Sequence, residues 1–209
     1  MLTLPRIYPI TDARLSGLSH AEQVKRLIAG GASLIQLREK YASPRDFYEA
    51  SAQTIKIARP LGVKIIINDR VDIALALSAD GVHLGQDDMP PDEARKILGK
   101  DAIIGYSTHS VEQIREALNL NIDYIAFGPI FPTQTKDDPD EVVGLEKLRE
   151  VRGLMDEFPL VAIGGINRAN LPIVIGSGAD SVAMIGAIVA EPAYMESRLR
   201  ELFQEAVIV

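Results

Sequence analysis

Short runs of apolar, largely β-branched residues alternate with amphipathic stretches along the whole chain. The runs cover residues 6–11, 33–37, 63–67, 81–84, 102–105, 124–127, 160–163 and 181–184. Each has the length and composition of a strand. The stretches between them carry helix signals. Ser19 stands three residues before Glu22, the spacing of a capping box, and Ala21, Val24, Leu27 and Ile28 then share one face. Ser43 before Pro44 reads as an N-cap with proline at the first helical position. Ser110 and Gln113 repeat the capping-box spacing ahead of an Ile114, Ala117, Leu118 stripe. Asn167 is expected to cap a helix ending near Gly176 and Gly178, and from Pro192 onward Met195, Leu199, Leu202 and Phe203 share a side. Eight βα units in sequence order predict an α/β fold with a parallel sheet, and eight units close best as a (β/α)8 TIM barrel. A single domain over residues 1–209 is expected. No G-x-G-x-x-G follows the first run, which argues against a dinucleotide-binding sheet. Gly30, Gly31, Gly176 and Gly178 each close a helix just before a strand and read as turn-makers at the bottom of the barrel.

Composition narrows the classes. With 209 residues and 47% hydrophobic positions, the chain can bury one substantial core. The net charge of -7 argues against a nucleic-acid groove, and any phosphate it binds must meet locally concentrated cations. There is no cysteine, so neither disulfides nor thiolate metal sites arise. The N-terminus has no secretory pattern, and no apolar run approaches the ~20 residues of a membrane span. A soluble cytoplasmic protein with no membrane partner is the expectation.

Barrel chemistry sits at the carboxyl ends of the strands, so the polar residues just after each run are the candidates. After the second run, Gln36, Arg38 and Lys40 alternate to one side and could form an oxyanion or phosphate cradle. A solvated strand end with an Arg38–Glu39 pair is the plainer reading. Asn68-Asp69 follows the third run and Gly85-Gln86-Asp87-Asp88 the fourth. Asp69 and Asp88 on neighbouring strands suit Mg2+ beside phosphate oxygens, although either could simply cap a helix, Asp69 one starting near Val71. After the fifth run come Ser107, His109 and Ser110, the last an expected cap and His109 readable as a loop histidine. His83 is expected inside the barrel and His20 exposed. The loop from Gly128 is long for a βα connection and carries Thr133, Thr135 and Lys136, donors suited to a phosphate. Gly165 after the seventh run and Ile185-Gly186 after the eighth lie where barrels commonly bind phosphate through backbone N–H groups. Two anion sites, one with a metal, fit two phosphorylated substrates.

The segments Gln36-Leu37-Arg38-Glu39-Lys40, Asn68-Asp69, residues 81–88, Ser107-Thr108-His109-Ser110, residues 128–136, Ile163-Gly164-Gly165-Ile166 and residues 178–183 together resemble the thiamine-phosphate synthase and thiazole tautomerase family, in its order and at similar spacing. The resemblance implies a transferase condensing 4-amino-2-methyl-5-pyrimidinylmethyl diphosphate with 4-methyl-5-(2-phosphoethyl)thiazole, or its carboxylated form, to thiamine phosphate and diphosphate. Carried over by motif, Gln36, Arg38, Lys40, Asn68 and Lys136 hold the pyrimidine diphosphate. Asp69 and Asp88 match Mg2+ ligands, and Ser107 lies near the reacting methylene and leaving diphosphate. Thr133, Thr135, Gly165, Ile185 and Gly186 match the thiazole phosphate site. Ser107, Lys136 and Arg38 are then the expected catalytic residues. Asp87 stands where the family often has Glu, and Gly186 where it commonly has Ser, which removes one hydroxyl donor.

Rival readings remain at this stage. A thiazole tautomerase would use proton transfer, with His109 as its candidate, but has no need of the diphosphate cradle and carboxylate pair. A phosphosugar epimerase could use His83 and His109 but leaves Gln36, Arg38 and Lys40 unexplained. A non-catalytic phosphate sensor leaves the carboxylate pair unexplained. The oligomeric state stays open, a homodimer being one outcome.

Overall fold

The computed structural model describes residues 2–133 and 140–207. Eight strands, β1 (Ile7–Asp12), β2 (Leu34–Arg38), β3 (Lys64–Asn68), β4 (Gly81–Leu84), β5 (Ile103–Thr108), β6 (Tyr124–Phe127), β7 (Leu160–Ile163) and β8 (Ser181–Met184), pair in sequence order and close on themselves. Every pair is parallel, including the closing pair of β1 with β8. The helices are α1 (Ala13–Ser16), α2 (His20–Ala29), α3 (Pro44–Ala58), α4 (Val71–Leu77), α5 (Pro91–Leu98), α6 (Val111–Ala117), α7 (Gly144–Met155), α8 (Leu171–Gly176), α9 (Gly186–Val189) and α10 (Met195–Val207). Single 3-10 turns precede β3 and α10.

Strands in such a sheet are buried on both faces, so they read as unbroken apolar runs rather than as alternation. In β3, Ile65, Ile66 and Ile67 are all at most 1% exposed. One set of side chains, including Ile10, Leu34, Ile66, Ile103, Val161 and Ala183, fills the barrel interior. The opposite set packs outward against the helices, where Val24, Leu27, Ile114, Leu148, Val174 and Leu199 meet it. The capping box at Ser19 and Glu22 is complete, and Ser43 caps α3 through the Asp46 N–H. Met195, Leu199 and Leu202 dock α10 against the barrel.

Three expectations are corrected. Asn167 does not cap α8: the helix starts at Leu171, and the Asn167 side chain instead accepts the Ala169 N–H in a local turn. Ser110 caps α6 through the Gln113 N–H, but Gln113 turns its own oxygen to the His109 N–H, so the box is not reciprocal. His20 is buried, not exposed, because the start of α2 lies against β1 and the loop after β2. β1 and β5 also run further than their apolar runs, to Asp12 and Thr108, and their last polar residues reach the barrel mouth as strand residues. Among the described residues no helix is long and apolar enough to cross a membrane.

Candidate active site

The carboxyl end of β2 is built on a buried polar frame. Arg38 donates to Asp12 Oδ2 at 3.0 Å, both side chains being largely buried. Asp12 is itself held, since it caps α1 by accepting the Leu15 N–H and its own N–H donates to Gln23 Oε1. His20 bridges Thr11 Oγ1 at 2.8 Å and Glu39 Oε2 at 3.3 Å. Burial pushes the His20 pKa down, against the opposing pull of Glu39 and Asp12. Glu39 Oε1 accepts the N–H groups of Tyr41 and Ala42 and so folds the loop that carries Lys40. The strand-end pairing of Arg38 with Glu39 is therefore not what forms. Arg38 takes its partner from β1, and Glu39 is a loop anchor. Gln36 is buried inside the barrel, its amide N–H donating to the Tyr8 hydroxyl at 3.3 Å.

Asp69 and Asp88 come together as the topology requires, since β3 and β4 are neighbours. Asp69 adopts a left-handed backbone, φ 62°, unusual for a residue other than glycine. That turn lets its N–H donate to the His83 carbonyl at 2.8 Å while its carboxylate receives the Lys40 ammonium. Asp69 does not cap α4, whose N-cap position is Arg70, with no side-chain cap bond. Asp88 does not cap α5 either, for Pro90 holds that position, and its Oδ2 accepts the Gly85 N–H at 2.7 Å. Partial burial raises the Asp88 pKa and the Asp69 charge raises it further, with the Gly85 N–H opposing. The amide nitrogen of Asn68, immediately before Asp69, is buried with no acceptor. Among the described residues no cluster of three or more His, Asp or Glu is arranged for a metal ion. Two carboxylates facing each other nevertheless fit a divalent ion of the Mg2+ type, which takes few protein ligands and completes its shell with water and phosphate oxygens.

β5 supplies Ser107, whose hydroxyl lies 2.9 Å from His83 Nε2, while its carbonyl accepts the Gln86 amide N–H at 2.6 Å. His83 is interior, as expected, and burial pushes its pKa down to about 4, with Lys40 adding to the effect and Asp88 opposing it. It is neutral at physiological pH. His109 is tied to the next loop: its Nδ1–H donates to the Gly128 carbonyl at 2.6 Å, and its Nε2 lies 3.6 Å from Asp140 Oδ2.

The other half of the mouth comes from β6, β7 and β8. The Ile130 and Phe131 N–H groups donate to the Ile163 and Gly164 carbonyls, so the two loops are laced together. Gly165, with φ 63°, lies where a Cβ would meet the Pro132 carbonyl oxygen at 2.5 Å. Its own carbonyl accepts the Asn170 amide. Ile185 turns the chain so that Gly186 opens α9 at the end of β8. Thr133 is a described residue of the β6 loop, whereas Thr135 and Lys136 lie outside the described residues.

A model of a family described as thiamine monophosphate synthase matches residues 7–188. The chain belongs to that family. It carries the activity class of its relatives, thiamine-phosphate synthase, a transferase of thiamine biosynthesis. The thiamine-phosphate synthase of Koribacter versatilis is 44% identical over 208 residues, covering 96% of this chain and 97% of the relative. That of Syntrophomonas wolfei is 46% identical over 200 residues, covering 95% and 94%. The solved thiamine phosphate pyrophosphorylase of Pyrococcus furiosus superposes with a TM-score of 0.86 at 36% identity, covering 97% of this chain and 96% of that one.

Several residues of this frame were not singled out from sequence. Asp12 lies one residue past the apolar run ending at Thr11, and only the strand's extension through it places its carboxylate at the mouth. Tyr8 and Tyr124 lie within apolar runs and read as core until their hydroxyls are seen to meet.

Proposed function

We propose that this chain joins 4-amino-2-methyl-5-pyrimidinylmethyl diphosphate to the phosphorylated thiazole, releasing diphosphate. The observation that carries the reading is the unsatisfied buried amide nitrogen of Asn68, next along the chain to Asp69, which meets both Lys40 and Asp88. A buried donor without an acceptor is costly, and an anionic ligand supplies the missing partner. Asp69 and Asp88 would hold a divalent ion there, and its charge would offset that of a diphosphate.

In this reading Arg38, Lys40, Asn68 and Lys136 bind the diphosphate, Gln36 lines the pyrimidine end, and Ser107 lies near the reacting methylene and the leaving diphosphate. Asp69 and Asp88 would hold Mg2+, which supplies positive charge to the diphosphate oxygens. The bond from the pyrimidine methylene to the diphosphate oxygen breaks, and its electron pair leaves with diphosphate. The thiazole nitrogen lone pair forms the new C–N bond, giving the thiazolium; a carboxylated thiazole would also lose CO2. Arg38 and Lys136 act by stabilising charge that grows on the leaving group, so no general base is needed. Thr133, Thr135, Gly165 and the Ile185–Gly186 backbone are assigned to the thiazole phosphate. Because that phosphate does not react, these residues set affinity rather than rate. The cytoplasm is the compartment proposed for this chemistry.

The test is turnover of the two phosphates to thiamine phosphate, with and without chelator, on wild type and two variants. Lys136→Gln is expected to lower kcat by roughly 30- to 1000-fold, the worth of a charge-assisted contact that strengthens in the transition state. His109→Asn is expected to have a far smaller effect, because its ring serves the Gly128 carbonyl. Abolished turnover in His109→Asn with a nearly silent Lys136→Gln makes proton transfer the chemistry and the tautomerase reading correct. Full activity in excess chelator removes the metal assignment.

A further inference from the structure

A continuous hydrogen-bonded chain crosses the barrel interior beneath the site. Gln36 Nε2 donates to the Tyr8 hydroxyl at 3.3 Å, and Tyr8 meets the Tyr124 hydroxyl at 3.1 Å. Tyr124 meets His83 Nδ1 at 2.9 Å, and His83 Nε2 meets the Ser107 hydroxyl at 2.9 Å. Five side chains from β1, β2, β4, β5 and β6 take part, and Gln36, Tyr8, Tyr124 and His83 are all buried. Barrel interiors are normally filled by branched apolar residues, so a polar file of this length is costly unless each member is satisfied.

The register explains how the file is assembled. His83, Gly105 and Tyr124 are paired neighbours on β4, β5 and β6. The His83 and Tyr124 rings stack at 5.5 Å between centroids, 19° from parallel, across the glycine between them. A Cβ on Gly105 would come within 2.0 Å of Tyr124 Cζ. The Tyr8 ring meets Tyr124 edge-on at 6.0 Å.

Each hydroxyl has one proton, and a neutral imidazole has one donor and one acceptor nitrogen, so fixing one bond's direction orders the rest. With Gln36 as donor, the buried Tyr8 proton finds its acceptor in Tyr124, and the buried Tyr124 proton in turn finds its acceptor in His83 Nδ1. His83 then carries its proton on Nε2 and donates it to Ser107. The Ser107 proton has no place left in the chain and points to the mouth. We infer that Tyr8, Tyr124 and His83 are positioning residues that hold Ser107 as a hydrogen-bond donor to the leaving diphosphate. The inference rests on the synthase reading for the identity of that acceptor. In the opposite order Ser107 would donate to His83 and present only lone pairs, which a diphosphate oxygen repels.

The first test needs no variant. The chain has three histidines, and long-range proton–nitrogen correlations of 15N-histidine protein report which ring nitrogen of His83 carries the proton. Nε2–H is expected, and Nδ1–H overturns the proposal. The second test is a double-mutant cycle. Tyr124→Phe is expected to lower kcat roughly tenfold while KM for the diphosphate substrate stays within about twofold, as loss of one oriented hydrogen bond implies. In a Ser107→Ala background the same change is expected to leave kcat unaltered, since it acts through Ser107. Losses that multiply, or a silent Tyr124→Phe, show a merely structural role. His83→Gln keeps a donor near Ser107 and is expected to retain more activity than His83→Leu. Absence of thiamine phosphate from the wild-type reaction would overturn the function and leave the nitrogen-proton result standing.

Discussion

A single carboxylate can be worth more to the reaction than it costs the fold. Asp88 is held above the ordinary carboxylate range by partial burial and by Asp69. Its folded pKa exceeds its unfolded one, so its contribution to stability is greatest at low pH and is lost as pH rises through the folded value. Without a divalent ion the ionised form of Asp88 therefore opposes folding. Asp88→Asn should raise the thermal midpoint at pH 7 in chelator while lowering turnover with magnesium by on the order of 10²-fold. A lower midpoint in that comparison would sink the account. The Arg38–Asp12 pair is the converse case. Arg38→Met leaves the Asp12 carboxylate buried without its cation and should cost about 3 kcal/mol in urea unfolding. The double variant Arg38→Met, Asp12→Asn should recover most of that stability, since Asn still accepts the Leu15 N–H. It should not recover KM for the diphosphate substrate, because the guanidinium is gone. Recovery of both would show that Arg38 serves only the fold.

At the scale of elements, the two halves of the mouth are held by different means. Strands β1 to β5 present side chains at their ends, framed by Asp12, His20 and Glu39. The β6 and β7 loops are joined by backbone bonds and by close contact at Gly165. Gly165→Ala meets both a left-handed φ and the Pro132 carbonyl, so it should cost about 1–3 kcal/mol and part the two loops. KM for the thiazole phosphate should rise while KM for the diphosphate stays near wild type. A uniform rise in both, measured by varying each substrate in turn, would mean the loops do not act as a separate phosphate-binding half.

For the whole molecule, buried histidines set an acid limit on stability. His83 is neutral in the fold, with its pKa near 4 against an ordinary 6.5. Between those values the unfolded chain binds the extra proton, so stability present above pH 6.5 is lost as pH falls toward 4. From pH 7 to pH 5 this one group should remove about 2 kcal/mol. His20, lowered by burial, adds in the same direction. Urea midpoints measured across that range should fall for wild type and fall less for His83→Gln. Equal slopes would show that His83 is not the group responsible. Nothing at this scale depends on the loop's Lys136, so its replacement should leave the acid limit unchanged.

How much of this was legible beforehand follows from range. Strand and helix alternation, the capping residues at Ser19 and Ser43 and the polar residues after each run all depend on neighbours a few positions away. Eight βα units then allow little but a closed parallel barrel, which is why Asp69 and Asp88 could be paired in advance from the order of β3 and β4. Contacts between strands distant in the chain could not be read in that way. Tyr8 and Tyr124 lie 116 positions apart, and only closure of the barrel brings their hydroxyls together. His20 looked like an exposed residue after a cap until the packing of α2 against the β2 loop buried it. The sequence by itself determined the element order, the fold and which strand ends carry chemistry, because periodicity and capping are local forces. Closure of the barrel chose the partners of polar groups that meet across it, such as Tyr8 with Tyr124 and Arg38 with Asp12. A buried hydrogen bond or ion pair is chosen by distance and desolvation across the barrel, and no local pattern encodes either.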